Sequence, residues 1–394
     1  MPKNRKNILW GLSLLMLCGL LWSRALLSIS MGLWLICICL SHYNLSTKKL
    51  RSPVFIWSVL PIFLLLLGVY QDGFNKANNQ YLLTALVFPV AALAALGFFP
   101  DLNKIIPKLW IYAALIGLVY PLSWFVLHSS EAIQQYGVGK SLPVFMDQDH
   151  LRFSIFLCSA LLFTLLPFTQ IRFKKIIFSI LLAGILLLAV RTAWIISFLI
   201  ITGFGIYRIG WIRIAATMLV LMGLLWIMPT ANKKIRYTIY DWQQYHTEGY
   251  HANYSDGVRL TINKVAWQSI QTKQQSNIGW AAIPATIRSN FSKTLKGLTT
   301  TYGWPFNEWL FWWMGSGWWG MILFTIWLFY PAWYGWRKNN IFLFIWTVAI
   351  AASCLVECTL NYQYGAFLYA WPIMICWFTY SKSSTDDSII AKVE

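Results

Sequence analysis

Charge is scarce in this 394-residue chain: 11% of residues are Asp, Glu, Lys or Arg, only 13 are acidic, and 58% are hydrophobic, for a mean hydropathy of +0.57. Soluble domains carry about 25% charged residues, so a soluble globule is excluded. Alternation of apolar and polar residues is missing too. Runs such as 181–190 (LLAGILLLAV) are apolar on every face, which suits a buried or lipid-facing helix and excludes an outer-membrane barrel. Neither a Gly-rich phosphate loop nor a Walker motif occurs, so cytoplasmic ATP-driven or sugar-nucleotide chemistry is not expected. None of the seven cysteines lies in the long polar segment 230–307, and Cys37 and Cys39 point to different faces of a helix. No disulfide framework, metal site or cofactor is therefore expected.

What remains is an all-α integral membrane protein. A hydrocarbon core of roughly 30 Å needs about 20 apolar residues per helix, and about twelve transmembrane helices are expected near 7–22, 25–41, 54–70, 81–99, 108–128, 150–168, 176–190, 192–207, 212–229, 308–330, 341–357 and 363–380. The N-terminal Lys3, Arg5 and Lys6 precede a Leu- and Trp-rich run without a small-residue cleavage site, so the run reads as a first span that stays. Residues 176–207 as one helix would measure about 48 Å, too long for the bilayer, which favours a hairpin turning at Arg191. The organisation is thus 1–229 with nine spans, an outer loop 230–307 carrying short amphipathic helices, 308–380 with three spans, and a tail 381–394.

The formal charge of +18 does not imply nucleic acid, because basic residues in such a chain are mainly topology signals. With both termini in the cytoplasm, seventeen basic residues fall in inside segments. Only Arg24, Lys76, Lys140, Arg152 and Arg191 fall in short outside connections, as the positive-inside rule requires. The other nine lie in the loop 230–307, against Asp241, Glu248 and Asp256. Such a loop attracts anionic membrane lipids or a diphosphate carrier.

Several outside residues carry possible chemistry. Arg191 is flanked by apolar runs, so it either faces a cavity or snorkels to headgroups. In 257–271, Val258, Ile262, Val265, Ala266 and Ile270 recur at helical spacing, as in an amphipathic helix lying on the membrane surface. His150 and Arg152 stand where polar sequence meets the sixth span. Glu308 heads the tenth span, where it either favours the helix dipole or acts as a base. Asn307, Glu357 and Gln363 complete the outer set. The 24 tryptophans are mainly an interfacial belt, although outward rings also stack on sugars.

In this order the residues resemble the bacterial O-antigen ligase and O-antigen polymerase superfamily of membrane glycosyltransferases, in a Bacteroidetes-like variant. The resemblance rests on an arginine in an apolar hairpin (Arg191) and a loop helix with G-x-R-x(n)-W (Gly257, Arg259, Trp267). It continues through a P-l-x-G-x-G-like stretch at Asn277 to Trp280 and a P-H-N-x-x-L motif running into G-x-x-G (Pro305, Phe306, Asn307, Leu310, Gly317, Gly320). DHLRFS and ECTLNYQYG also look like segments of that variant. It covers mainly residues 185–330. It implies a bacterial inner-membrane enzyme that moves a glycan from undecaprenyl diphosphate to lipid A-core, or to another glycan or protein acceptor, at the periplasmic face. No metal or cofactor is required. Arg191 and Arg259 match the positions that neutralise the diphosphate, for which the guanidinium fork is suited. The family histidine is Phe306 here, leaving His150 or Glu308 as candidate base; an imidazole with a pKa of about 6.5 suits that task. A polymerase, a protein oligosaccharyltransferase and a polysaccharide flippase are the alternatives. A flippase would more often show paired halves, and no internal repeat is present.

Overall fold

A computed structural model describes residues 3–40, 51–102, 105–146, 149–167, 169–247, 249–250, 255–272, 277–295 and 298–390. Of the outer polar and charged residues of the sequence, Asp147, Glu248, Lys273 and Lys296 lie outside these. Among the described residues there are helices and no strands. Among the described residues, each of the twelve apolar stretches is helical over most of its length. They form α1 (Lys3–Trp22), α2 (Arg24–Leu40), α3 (Pro53–Asp72), α4 (Lys76–Ala85) with α5 (Val87–Leu102), α6 (Ile106–Leu127), α8 (His150–Leu165), α9 (Lys174–Leu188), α10 (Arg191–Ile209), α11 (Trp211–Ile227), α15 (Glu308–Arg337), α16 (Ile341–Cys354) and α17 (Gln363–Ile390). A short helix, α7 (Ser129–Gly137), follows α6. Three more, α12 (Pro229–Thr247), α13 (Ser255–Gln271) and α14 (Ile283–Thr294), occupy the polar segment.

Among the described residues, four helices are long and apolar enough to cross a membrane: Pro53–Tyr70, Lys76–Leu96, Ile106–Leu127 and Arg191–Ile209. Large apolar side chains such as Ile56, Phe63 and Leu67 on α3 stay exposed, as lipid-facing residues do. The chain is a membrane protein.

Helix boundaries follow local chemistry. Ser52 caps α3 ahead of Pro53, Asn75 accepts from Asn78 N at 2.9 Å to start α4, and Asn307 accepts from Leu310 N at 3.1 Å to start α15. The stretch 176–207 is two helices, broken where Ala189 adopts a left-handed conformation and Val190 is extended. Lys174 and Arg208 lie close enough to feel each other's charge. In one straight helix they would stand about 50 Å apart, so the chain folds back as a hairpin.

Two expectations are corrected. The stretch 308–330 is not one continuous helix: Gly317, with φ +73°, breaks α15. In an unbroken helix the Met314 carbonyl would accept from residue 318; here Ile278 N donates to it at 2.8 Å. The second concerns 257–271. Its apolar stripe is helical, but Ile262, Val265 and Ala266 are fully buried and α13 packs against α14 and α15. The stripe faces protein rather than lipid, because α15 and α14 offer it a matching apolar surface.

The break at Gly317 admits a plug. Residues 277–280 turn inward through positive φ at Asn277 and Gly279, and the Trp280 ring is fully buried between α3 and α15. Its indole N–H donates to the Leu65 carbonyl at 2.9 Å. Gly68 and Gly315 leave its space: a Cβ at either would stand 1.9 or 2.1 Å from the ring. Deeper in the bundle, Trp57 and Trp327 stack with ring centroids 5.5 Å apart, and each indole N–H donates to the other's backbone carbonyl, at 2.9 and 3.0 Å. That exchange satisfies two buried donors at once.

Candidate functional site

The site grows from the N-terminus of α13. Buried Asp241 on α12 accepts from the backbone N–H groups of Asp256 and Gly257, at 2.9 and 3.2 Å. These first-turn donors have no partner within their own helix, so one carboxylate satisfies both and pins α13 to α12. Asp256, held this way, receives the guanidinium of Arg191 from the start of α10: Nη2 reaches Oδ1 at 2.7 Å, and Nη1 bonds Oδ2. Thr238 accepts from the same guanidinium at 3.0 Å. Arg191 is therefore a partnered, half-buried residue rather than one that snorkels.

One turn along α13, Arg259 Nη2 lies 3.3 Å from Glu357 Oε2, and its guanidinium sits 5.3 Å from the Phe306 ring centroid. A cation over an aromatic face is attracted to the ring's negative quadrupole. Burial pushes the Glu357 carboxyl above the usual carboxylate range, with Arg259 and then Arg152 pulling it back. Lys234 on α12 is buried and donates to the backbone carbonyls of Gly139 and, at 3.0 Å, Lys140. Desolvation, followed by the charge of Arg191, drags its pKa down to about 7, against the opposing pull of Asp256.

A second cluster forms at the start of α8. Asp149 is buried and shared by two arginines: Arg24, whose Nη2 and Nε lie at 2.6 and 3.2 Å, and Arg152. Arg152 also lies 4.2 Å from the Tyr362 ring centroid. His150, half-buried, has Lys234, Arg259 and Arg152 as charged neighbours, with Asp149 opposing them. Gln363 accepts from Ser28 at 2.8 Å. Asn307 donates to the Leu355 carbonyl at 3.1 Å, tying the start of α15 to the segment after α16.

Two cavities flank these clusters. The first, of about 670 Å³, is mostly apolar and is lined by Ile239, Trp242, Asp256, Arg259, Phe306 and Leu355 among others. The second, of about 610 Å³, has Arg24, Gln80, Arg152, Trp304, Tyr362 and Gln363 in its wall. Residues 355–362 stand between them: Leu355 and Val356 face the first, Asn361 and Tyr362 the second.

Of the expected site residues, Arg191, Arg259, His150, Arg152 and Glu357 converge on this region, with Asn307 and Gln363 at its edges. Glu308 does not join them. It is fully buried, its Oε2 accepts from Leu360 N at 3.4 Å, and it borders a void of about 30 Å³ whose wall shares Tyr81, Thr84 and Asn361 with the second cavity. The helix that places it turns it inward, so that it lines neither large cavity.

Sequence reasoning treated Asp256 and Asp241 only as charges offsetting a basic loop. The adjacency of Asp256 to the Gly257 and Arg259 motif was the available signal. Tyr362, in the wall of the second cavity, falls within the ECTLNYQYG segment, whereas Trp304 in the same wall carried no signal, being lost among many aromatics. Among the described residues no group of three His, Cys, Asp or Glu side chains is placed to hold a metal ion. No protein-family model and no curated protein matches the chain.

Proposed function

We propose that this protein is a lipid-linked oligosaccharide transferase of the ligase type. It would lie in the bacterial inner membrane with about twelve spans, both termini in the cytoplasm and residues 230–307 in the periplasm. The observation that carries this reading is the pairing of an apolar cavity of about 670 Å³ with the Arg259 guanidinium at its wall. Arg259 lines it directly, and Arg191 reaches it through Asp256, another wall residue. An amphiphile with a diphosphate head suits such a site: isoprenoid carbon against Ile239, Trp242 and Leu355, phosphate oxygens on bidentate guanidinium donors. Asp256 and Glu357 hold the arginines in place until a stronger anion draws them away.

In the reaction, an acceptor hydroxyl attacks the anomeric carbon of the carrier-bound glycan. The carbon–oxygen bond to phosphate breaks, and the diphosphate departs with the electron pair. Arginines placed at the departing oxygens stabilise the charge as it develops, which is where electrostatic catalysis gains most. The aromatic and amide groups of the second cavity, Trp304, Tyr362, Gln80 and Gln363, suit a sugar-bearing acceptor.

Deleting the gene in its host and comparing surface lipopolysaccharide, capsule and glycoproteins on gels tests the reading. Loss of long-chain bands, with carrier-linked polymer accumulating, is the expected result; short chains of single repeats would indicate a polymerase. Unchanged profiles of all three would remove the transferase reading.

The orientation is tested separately. A cysteine introduced at Ser255 should react with a membrane-impermeant maleimide in intact spheroplasts, above the wild-type background, and one at Ser384 should not. The reverse labelling would place the arginine cluster in the cytoplasm, where this chemistry has no carrier-linked glycan to work on.

A further inference from the structure

Transfer of a glycan to a hydroxyl releases a proton, and a positioned group must receive it as the oxygen attacks. Five candidates stand near the two cavities. Asp149 is committed to Arg24 and Arg152. Asp256 is gripped by both terminal nitrogens of Arg191. Glu308 is sealed inside the bundle. His150 has three cationic neighbours, so a proton there adds a fourth positive charge to the cluster. Glu357 differs from all four: one contact of 3.3 Å ties it to Arg259, which lines the first cavity, Arg152 in the wall of the second is its other cationic neighbour, and its side chain keeps 17% exposure. A proton there removes a charge instead of adding one.

We propose that Glu357 is the proton acceptor of the transfer step, and that its pairing with Arg259 is a latch that the donor opens. The proposal rests on the transferase reading above. An acceptor hydroxyl entering from the second cavity gives its proton to a Glu357 carboxylate oxygen while its own oxygen bonds to the anomeric carbon. The bond from that carbon to the phosphate oxygen breaks, and its electron pair leaves with the diphosphate. When phosphate oxygens draw the Arg259 guanidinium, Glu357 loses its counter-charge and its affinity for a proton rises. The base thus becomes strong only when the leaving group is in place. Burial, which already lifts this carboxyl above the ordinary range, acts in the same direction.

The test compares purified wild type, Glu357→Gln and Glu357→Asp in nanodiscs, with an undecaprenyl-diphosphate oligosaccharide as donor and core lipopolysaccharide of the host as acceptor. Glu357→Gln should lower kcat by about 10²- to 10⁴-fold while donor binding, followed by native mass spectrometry, is kept. Because the carboxylate is the active form, wild-type rates should fall as the pH drops through a pKa above the usual glutamate range. That acid limb should vanish in Glu357→Gln and persist, at a reduced rate, in Glu357→Asp. Wild-type turnover by Glu357→Gln overturns the proposal, as does a slow Gln variant that retains the acid limb, since Glu357 then only positions Arg259. If the wild type binds donor and transfers while Glu357→Gln matches it, the base assignment alone fails. If the wild type neither binds nor transfers, the transferase reading fails and the base assignment falls with it.

Discussion

Arg259→Ala should slow glycan transfer by about 10³- to 10⁵-fold, the range found where one guanidinium neutralises charge on a departing phosphate. The size of the effect follows from position. Arg259 lines the larger cavity, is half-buried, and rests over the Phe306 ring, where little water screens it. Its present partner, Glu357, is a single carboxylate at 3.3 Å that a diphosphate can outcompete with more charge and more acceptor oxygens. Arg259→Lys keeps the charge and tests geometry: a lysine ammonium is a point donor and cannot span two phosphate oxygens, so most of the loss should persist. Arg191→Lys should behave similarly, with the added cost that Asp256 loses its fork from Nη1 and Nη2. Transfer rates are to be compared at equal amounts of folded protein, checked by size-exclusion profile. Wild-type turnover by both lysine variants would show that the arginines are structural partners of Asp256 and Glu357 and nothing more.

The largest effect on stability is expected at Trp280. Trp280→Ala should cost about 3–5 kcal/mol, the usual range for truncating a fully buried tryptophan. The ring fills a slot with glycine on both sides, at Gly68 and Gly315, and packs against Phe311 and Trp312 with centroids 5.2 and 5.0 Å away, contacts that an alanine would lose. The indole hydrogen bond to Leu65 is lost as well. Trp280→Phe, which keeps most of the volume but not the donor, should recover the larger part of that cost. Gly68→Val makes the reciprocal change, placing a side chain where the ring now lies, and should destabilise the same contact from the other helix. Thermal unfolding in a mild detergent, followed by intrinsic fluorescence, measures all three. An unchanged midpoint for Trp280→Ala would mean that residues 277–280 do not anchor the polar segment to the bundle.

The Trp280 slot also shows why part of the site was illegible from sequence. The stretch Asn277 to Trp280 reads as a weak glycine motif, and its meaning depends on Gly317, the residue that breaks α15 and frees the Met314 carbonyl for Ile278. A glycine inside an apolar run gives no sign of whether it bends a helix or merely packs. Glu308 is a similar case. Its place at the head of α15 was apparent from Pro305, but the direction of its side chain depends on how α15 packs against residues 355–362.

Hydropathy determined, without any fold, that the chain is helical and made for a membrane, because a backbone segment with no water to bond must satisfy its own N–H and C=O groups locally. The lengths of the apolar runs placed the boundaries approximately, and the structure shows proline, asparagine and serine fixing several of them, since caps act within one turn. The hairpin at Arg191 was also within reach, because length and charge constrain it directly. Which carboxylate faces which arginine was not. Arg191 finds Asp256 across 65 residues of sequence, and Arg259 meets Glu357 only because α13, α15 and the segment after α16 are packed together. Charge pairing at a distance is decided by which surfaces are buried against each other, and that is a property of the assembled bundle rather than of any single stretch of chain.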